Sequence, residues 1–172
     1  MSNCCTVPTT TPECCVTVSG DADASPVCRI CGQKAKPVDR ITPEHLLKPE
    51  AAVQLRGTVY HFCATPTCDV VYFSNATGQY FHKGDVTVRV GMKEIEDPIP
   101  ICYCFDYTVR HIEDEIRTTG ATTIPERIRA EVKAGHCRCE VMNPQGTCCL
   151  GNVARTVKKA MAAVQIPVGI GG

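Results

Sequence analysis

Fourteen cysteines in 172 residues constrain this chain more than any other feature. Thiols at that density are cross-links or metal ligands before they are packing residues. They fall into sets: Cys4-Cys5 and Cys14-Cys15; Cys28 with Cys31; Cys63 with Cys68; Cys102 with Cys104; and Cys137, Cys139, Cys148 and Cys149. The first twenty residues have no basic start and no continuous apolar run, so no export signal is expected and the reducing cytoplasm is the expected compartment. There, clustered thiols are metal ligands more readily than disulfides. The need for such a staple shows in the core residues on offer. Aromatic residues are 5% and Trp is absent, so small modules with thin cores are expected rather than one large one.

Several functional classes are disfavoured. No apolar run approaches the length of a membrane span. Eighteen basic residues balance eighteen acidic ones, so the surplus of positive charge typical of nucleic-acid binders is missing. No nucleophile–base pair is recognisable, and Glu113, Asp114 and Glu115 read as a solvated helix face. An enzyme is not expected.

The sequence predicts an α+β chain. Residues 1–25 are rich in Thr, Ser, Pro and Asp without a periodic pattern, and read as a Cys-containing tail. Residues 26–92 read as a β-rich module, with strands over Thr58–Phe62, Asp69–Phe73 and the alternating Val86–Val90, and a short helix N-capped by Thr42. Lys93–Pro100 reads as a linker opening a helical module over 93–165. Val109, Ile112 and Ile116 share a helix face that ends at Gly120. Thr123–Glu126 has the form of a capping box for a helix carrying Ile124, Ile128 and Val132, stopped by Gly135. A last helix carries Val153, Val157, Met161 and Val164, with Lys158 and Lys159 outside, and 166–172 form a tail.

Cys28-x-x-Cys31-Gly is a metal knuckle, and Cys63-x4-Cys68 supplies a second pair between two strands. Four thiolates suit tetrahedral zinc, and a complete thiolate shell makes the site structural. A thioredoxin-type pair would need a βαβ setting that is missing. His61 shares the strand face of Cys63 and is a further candidate ligand; His45 and His82 read as surface or packing residues.

Cys102-Tyr-Cys104 in extended backbone points two thiolates the same way. A helical hairpin after it returns the chain to HCRCEVMNPQGTCC, bringing Cys137, Cys139, Cys148 and Cys149 alongside. Four thiolates at one end of such a hairpin suit a 2Fe–2S cluster, with a second zinc as the alternative. Tyr103 and Phe105 flank the pair as shields or as core residues.

The segment PICYCFDYTVRHIEDEI…GATTIPERIRAEVKAGHCRC resembles the bacterioferritin-associated ferredoxin family. The longer stretch from Val27 to about Val153 is similar to the N-terminal domain of CopZ-type copper chaperones, through CRIC, YHFCATPTCDVVYF, YFHKGDV, PICYCF and NPQGTCCLGNV. The resemblance implies a zinc-stapled β module followed by a ferredoxin-like helical 2Fe–2S module. It implies Zn2+ at Cys28, Cys31, Cys63 and Cys68, and the cluster at Cys102, Cys104 and two later cysteines. These map to Cys139 and to the Cys148-Cys149 pair, of which Cys149 is chosen because it opens the last helix, whose N-terminus favours a thiolate. Cys137 and Cys148 stay alternatives, and at least two thiols are spare, since the cluster takes four.

The resemblance further implies copper and metal homeostasis, with one-electron transfer that could reduce Cu(II) to Cu+. Its expected partners are metal ions and a copper-transporting ATPase or a redox protein. Family chaperones also carry an M-x-C-x-x-C heavy-metal domain, and no such motif occurs here, so copper delivery is not expected to carry over directly. Cys4, Cys5, Cys14 and Cys15 could form a soft thiolate site for Cu+ or be incidental. A plain ferredoxin-type electron carrier and a zinc-stapled interaction module are the competing functions.

Overall fold

A computed structural model describes residues 26–57 and 59–164. The tail of 1–25 with its two Cys-Cys pairs, and the segment 166–172, lie outside the described residues.

The first half is built on a four-stranded antiparallel sheet in the order β1 (Lys36–Asp39), β2 (Val59–Phe62), β3 (Val70–Ser74), β4 (Gln79–His82). Helices α1 (Ile41–Leu46) and α2 (Pro49–Ala52) connect β1 to β2. The strands expected at β2 and β3 are present, whereas β1 and β4 escaped the sequence reading. Pro37 conceals β1, and it is tolerated because β1 lies at the sheet edge, where a missing N–H breaks no ladder. Every residue of β3 is buried, because both faces of the sheet are covered. On one face Val71 and Tyr72 join Phe62, Leu47, Ala51 and Leu55 in a hydrophobic core. On the other, Val70 and Phe73 pack with Cys28, Cys63, Cys68 and Ala35. A register shift between Val70 and Tyr72 lets two successive residues face the same core.

Three expectations are corrected here. Val86–Val90 is not a strand: a 3-10 turn at Lys83–Asp85 takes the chain off the sheet, and only Val86 forms a bridge, to Leu47. Its alternation serves burial, with Val86 and Val90 in the core. Thr42 is not an N-cap. It lies inside α1, fully buried, and its hydroxyl donates to the Glu140 carbonyl at 2.7 Å, a long-range contact no local signal announces. Lys93–Pro100 is no free linker. Lys93 is buried, Glu94 pairs with Arg89 and Lys83, and the Arg89 guanidinium also holds the carbonyls of Glu96 and Pro98.

The second half opens with the β5 (Pro100–Cys102) and β6 (Tyr107–Thr108) hairpin, then α3 (Val109–Thr119), α4 (Ile124–Lys133), the single turn α5 (Cys139–Met142) and α6 (Leu150–Val164). Thr108 caps α3 by accepting from the His111 N–H, and Gly120 ends it with φ of +78°. That left-handed geometry is cheap only for glycine. The capping box at Thr123–Glu126 does not form. Instead Glu115 reaches across from α3, accepting from the Thr122 hydroxyl at 2.6 Å and the Thr123 N–H at 3.0 Å and pairing with Arg127. Glu115 therefore organises the α3–α4 turn rather than sitting on a solvated face. Ile112, Ile116, Ile124, Ile128, Val153 and Ala160 form the core between these helices, and Cys102 and Cys149 belong to it. Val164, at the end of the α6 stripe, is exposed.

The halves are stitched together. α1 packs on α5, the Tyr72 hydroxyl donates to the Pro144 carbonyl at 2.9 Å, and Tyr103 bridges the Arg89 carbonyl and the Gly91 N–H. Gly91 is required where it stands: an added Cβ would lie 1.9 Å from the Pro100 carbonyl oxygen.

Candidate metal centres

Cys28 and Cys31 sit on a tight loop closed by the Val27–Lys34 bridge. Gly32 adopts φ of +70°, and its N–H donates to the Cys28 carbonyl at 2.7 Å. Cys63 continues β2, its N–H bonded to the Val71 carbonyl, and Cys68 follows a turn in which its N–H bonds Thr65. The two loops bring all four Sγ atoms within 4.8 Å of one another. A metal–sulfur bond near 2.3 Å sets sulfurs on one tetrahedral ion about 3.8 Å apart. The Cys31–Cys63 separation is 3.6 Å, so the pocket already has the dimensions of such an ion's shell.

The thiols ionise unequally. Burial pushes Cys28 up and Cys68 up to about 12. At Cys31 burial opposes ionisation, but hydrogen bonds from the Thr65 hydroxyl, the Gln33 N–H and neighbouring thiols outweigh it and bring the group down to about 6. Four close thiols cannot all be anionic without a cation among them. Lys93 supplies one positive charge from behind. Its Nζ, 5% exposed as a residue, donates to the carbonyls of Thr65 and Cys68 at 2.7 and 2.8 Å, gripping both ends of the second loop. Burial lowers the Lys93 pKa while the thiolates hold it up. Nothing in the sequence marked this residue, because a single lysine in a charged, proline-rich stretch carries no periodicity.

His61 is outside the four-thiol group. It stacks on Phe73 with centroids 5.4 Å apart, and its Nδ1 is buried with no partner among the described residues. Burial lowers its pKa, which keeps it neutral in place.

At the second centre Cys102 ends β5, Cys104 lies in the β5–β6 turn, Cys139 begins α5 and Cys149 directly precedes α6. Cys102 and Cys149 are buried together in the core between the helices. Cys104 Sγ lies 3.7 Å from Cys139 Sγ and accepts from the Arg138 N–H at 3.3 Å. The Cys149 contact, with those from Cys137 and Cys104, lowers Cys139 to about 5, while burial lifts Cys104 to about 12. Neighbouring Cys102 and Cys139, together with burial, push Cys149 up. Asn143 shapes the loop between Cys139 and Cys149: it is buried, donates to the Thr147 carbonyl at 2.6 Å and accepts from the Gln145 N–H.

Of the four expected thiols, Cys104 and Cys139 lie side by side, and Cys102 and Cys149 are buried in the helical core. Of the two alternatives, Cys148 is exposed, whereas Cys137 is drawn in. Cys104, Cys137 and Cys139 have Sγ atoms within 4.8 Å of one another.

A zinc-binding-domain family model of the CopZ type matches residues 25–87. The copper chaperone CopZ of Archaeoglobus fulgidus is 36% identical over 120 residues, which are 66% of this chain and 55% of that protein. The chain thus spans little more than half the length of that relative. The X-ray structure of the A. fulgidus CopZ N-terminal domain superposes with a TM-score of 0.62 at 31% identity, covering 75% of this chain and 95% of that one. The four thiols of the first centre fall inside the matched segment, and the fold around them is that of the CopZ N-terminal domain. Through residues 25–87 the chain belongs to the CopZ-type zinc-binding domain family.

Proposed function

We propose that this chain is a metal-homeostasis protein with two unlike centres. Cys28, Cys31, Cys63 and Cys68 hold a structural zinc; Cys102, Cys104, Cys139 and Cys149 hold a 2Fe–2S cluster used in one-electron transfer during copper handling. The observation that carries this reading is the presence of two separate cysteine groups: Cys28, Cys31, Cys63 and Cys68 within 4.8 Å of one another, and Cys104 next to Cys139 in the half whose core holds Cys102 and Cys149. The first set is closed in by Ala35, Val70 and Phe73, which suits a redox-silent ion with no open position. The second has Cys102 and Cys149 in the helical core and Cys104 and Cys139 at tetrahedral spacing, in keeping with the two thiolates each iron of such a cluster needs.

A bound 2Fe–2S cluster supplies single electrons at a potential tuned by hydrogen bonding to sulfur and by solvent exposure. Here the Arg138 N–H is one such donor. Ile112, Ile116 and Val153 keep water from the inner thiols, and the half-exposed Cys104 marks the side nearest solvent. Copper is the cargo in this reading. Similarity to a copper chaperone supports the copper role, and reduction of Cu(II) to Cu(I), the state thiolates prefer, is the step proposed for the cluster. A copper-transporting ATPase or a redox protein is the partner it calls for, and no dedicated enzyme activity is proposed.

The close triangle of Cys104, Cys137 and Cys139 favours one second reading, a mononuclear ion such as another zinc. Metal analysis of anaerobically purified full chain, with electron paramagnetic resonance after reduction, separates the two. One zinc to two irons with a reduced-cluster signal is expected, and a colourless zinc-only protein ends the cluster reading. Mixing reduced protein with Cu(II) and a Cu(I)-specific chelator tests the copper role. No Cu(I) formed would leave a simple electron carrier.

A further inference from the structure

A third thiol, Cys137, lies with Cys104 and Cys139, all within 4.8 Å of one another, where the proposed cluster takes only two of them beside Cys102 and Cys149. Cys137 is held there by geometry. It lies in the short stretch between α4 and α5, just after Gly135 with φ of +80°, and the next N–H, that of Arg138, donates to Cys104 Sγ at 3.3 Å. That bond aims the stretch at the centre. Its Sγ is 3.2 Å from Cys139 Sγ, whereas Cys104 and Cys139 are 3.7 Å apart. Sulfurs sharing a tetrahedral ion sit about 3.8 Å apart. Cys139 and Cys104 are therefore spaced as co-ligands, while Cys137 and Cys139 sit closer than two sulfurs of one tetrahedral shell. They are spaced as occupants of the same position.

We propose that Cys137 is an exchange ligand for the coordination position of Cys139, so that the centre persists in two ligand arrangements. This rests on the cluster reading above. The exchange is a ligand substitution without electron transfer. One metal–sulfur bond to Cys139 breaks, one to Cys137 forms, and the proton lost by the incoming thiol goes to the departing thiolate. The half-exposed Cys137 and the buried Cys139 give the two arrangements different solvent contact at the ligand sulfur, and hence different spectra.

The test uses the full chain loaded anaerobically with iron and sulfide, as wild type, Cys137→Ser, Cys139→Ser and the double variant. Zinc per chain reports an intact first module in each. The expected result is two irons per chain in wild type and both single variants, with a shifted paramagnetic spectrum in Cys139→Ser, and loss of iron in the double variant. Cys139→Ser without iron beside loaded wild type overturns the exchange, as does a double variant that keeps its iron. A wild type that takes up no iron removes the cluster reading and this inference together. Limited alkylation of loaded wild type, mapped by mass spectrometry, avoids any folding defect of the variants. Apart from label on the exposed Cys148 and the cysteines of 1–25, labels divided between Cys137 and Cys139 are expected, and label on Cys137 without any on Cys139 refutes exchange.

Discussion

Replacing Lys93 with methionine removes a buried ammonium from behind the zinc-type centre while keeping the length of the aliphatic stem. Its Nζ donates two short hydrogen bonds, to the Thr65 and Cys68 carbonyls, and so fixes both ends of the loop from Cys63 to Cys68. Hydrogen bonds to a charged group contribute about 1.5–3 kcal/mol each, so the gross loss is roughly 3–6 kcal/mol. The desolvation cost of the buried cation, several kcal/mol in real proteins, is recovered and offsets much of this. The remainder includes the attraction to the thiolate shell, which is doubly negative even around a divalent ion. The net expectation is about 2 kcal/mol, or some thirtyfold weaker zinc binding, within the 10–100-fold typical of residues that support metal ligands. Competition with a chromophoric chelator at neutral pH measures it. Lys93→Gln keeps donors but no charge, so it should fall between wild type and Lys93→Met. Zinc affinity in Lys93→Met within twofold of wild type would refute the argument that this cation supports the thiolates.

Gly91→Ala forces a Cβ to 1.9 Å from the Pro100 oxygen, a backbone atom that cannot rotate away; denaturant titration should show a loss of about 3 kcal/mol, at the upper end for overpacking. Tyr72→Phe strands the Pro144 carbonyl in the loop between Cys139 and Cys149; it should cost about 1–3 kcal/mol by the same measurement and speed iron loss to a chelator. For Glu115, the Thr122 hydroxyl first, then the Thr123 N–H and Arg127, hold the carboxyl below its usual 4.5. Its stabilising effect is therefore complete above that value and is lost as pH falls through the depressed one. Glu115→Gln should lower the melting temperature at neutral pH and flatten its decline in acid; an unchanged acid limb would contradict this assignment.

Much was legible from the residues alone, because the signals were local. A CxxC-G knuckle, the period of Ile112 and Ile116, the stop at Gly120 and the run into β3 depend on neighbours within a few positions, and the structure has each of them. The grouping of Cys28, Cys31, Cys63 and Cys68 was readable for the same reason, since a knuckle presets two thiols before the chain folds. Tertiary structure decided the rest. Thr42 has the sequence of a helix cap but spends its hydroxyl on Glu140, ninety-eight residues away. Val86–Val90 alternates like a strand yet has no strand to pair with. Lys93 becomes a buried cation only because folding places four thiols in front of it. Likewise, sequence spacing could not separate Cys137 from Cys148. One thiol faces the centre and the other faces solvent because of how the α4–α5 turn and the start of α6 meet β5, and differences of a few tenths of an ångström in sulfur–sulfur distance exist only once the chain has closed.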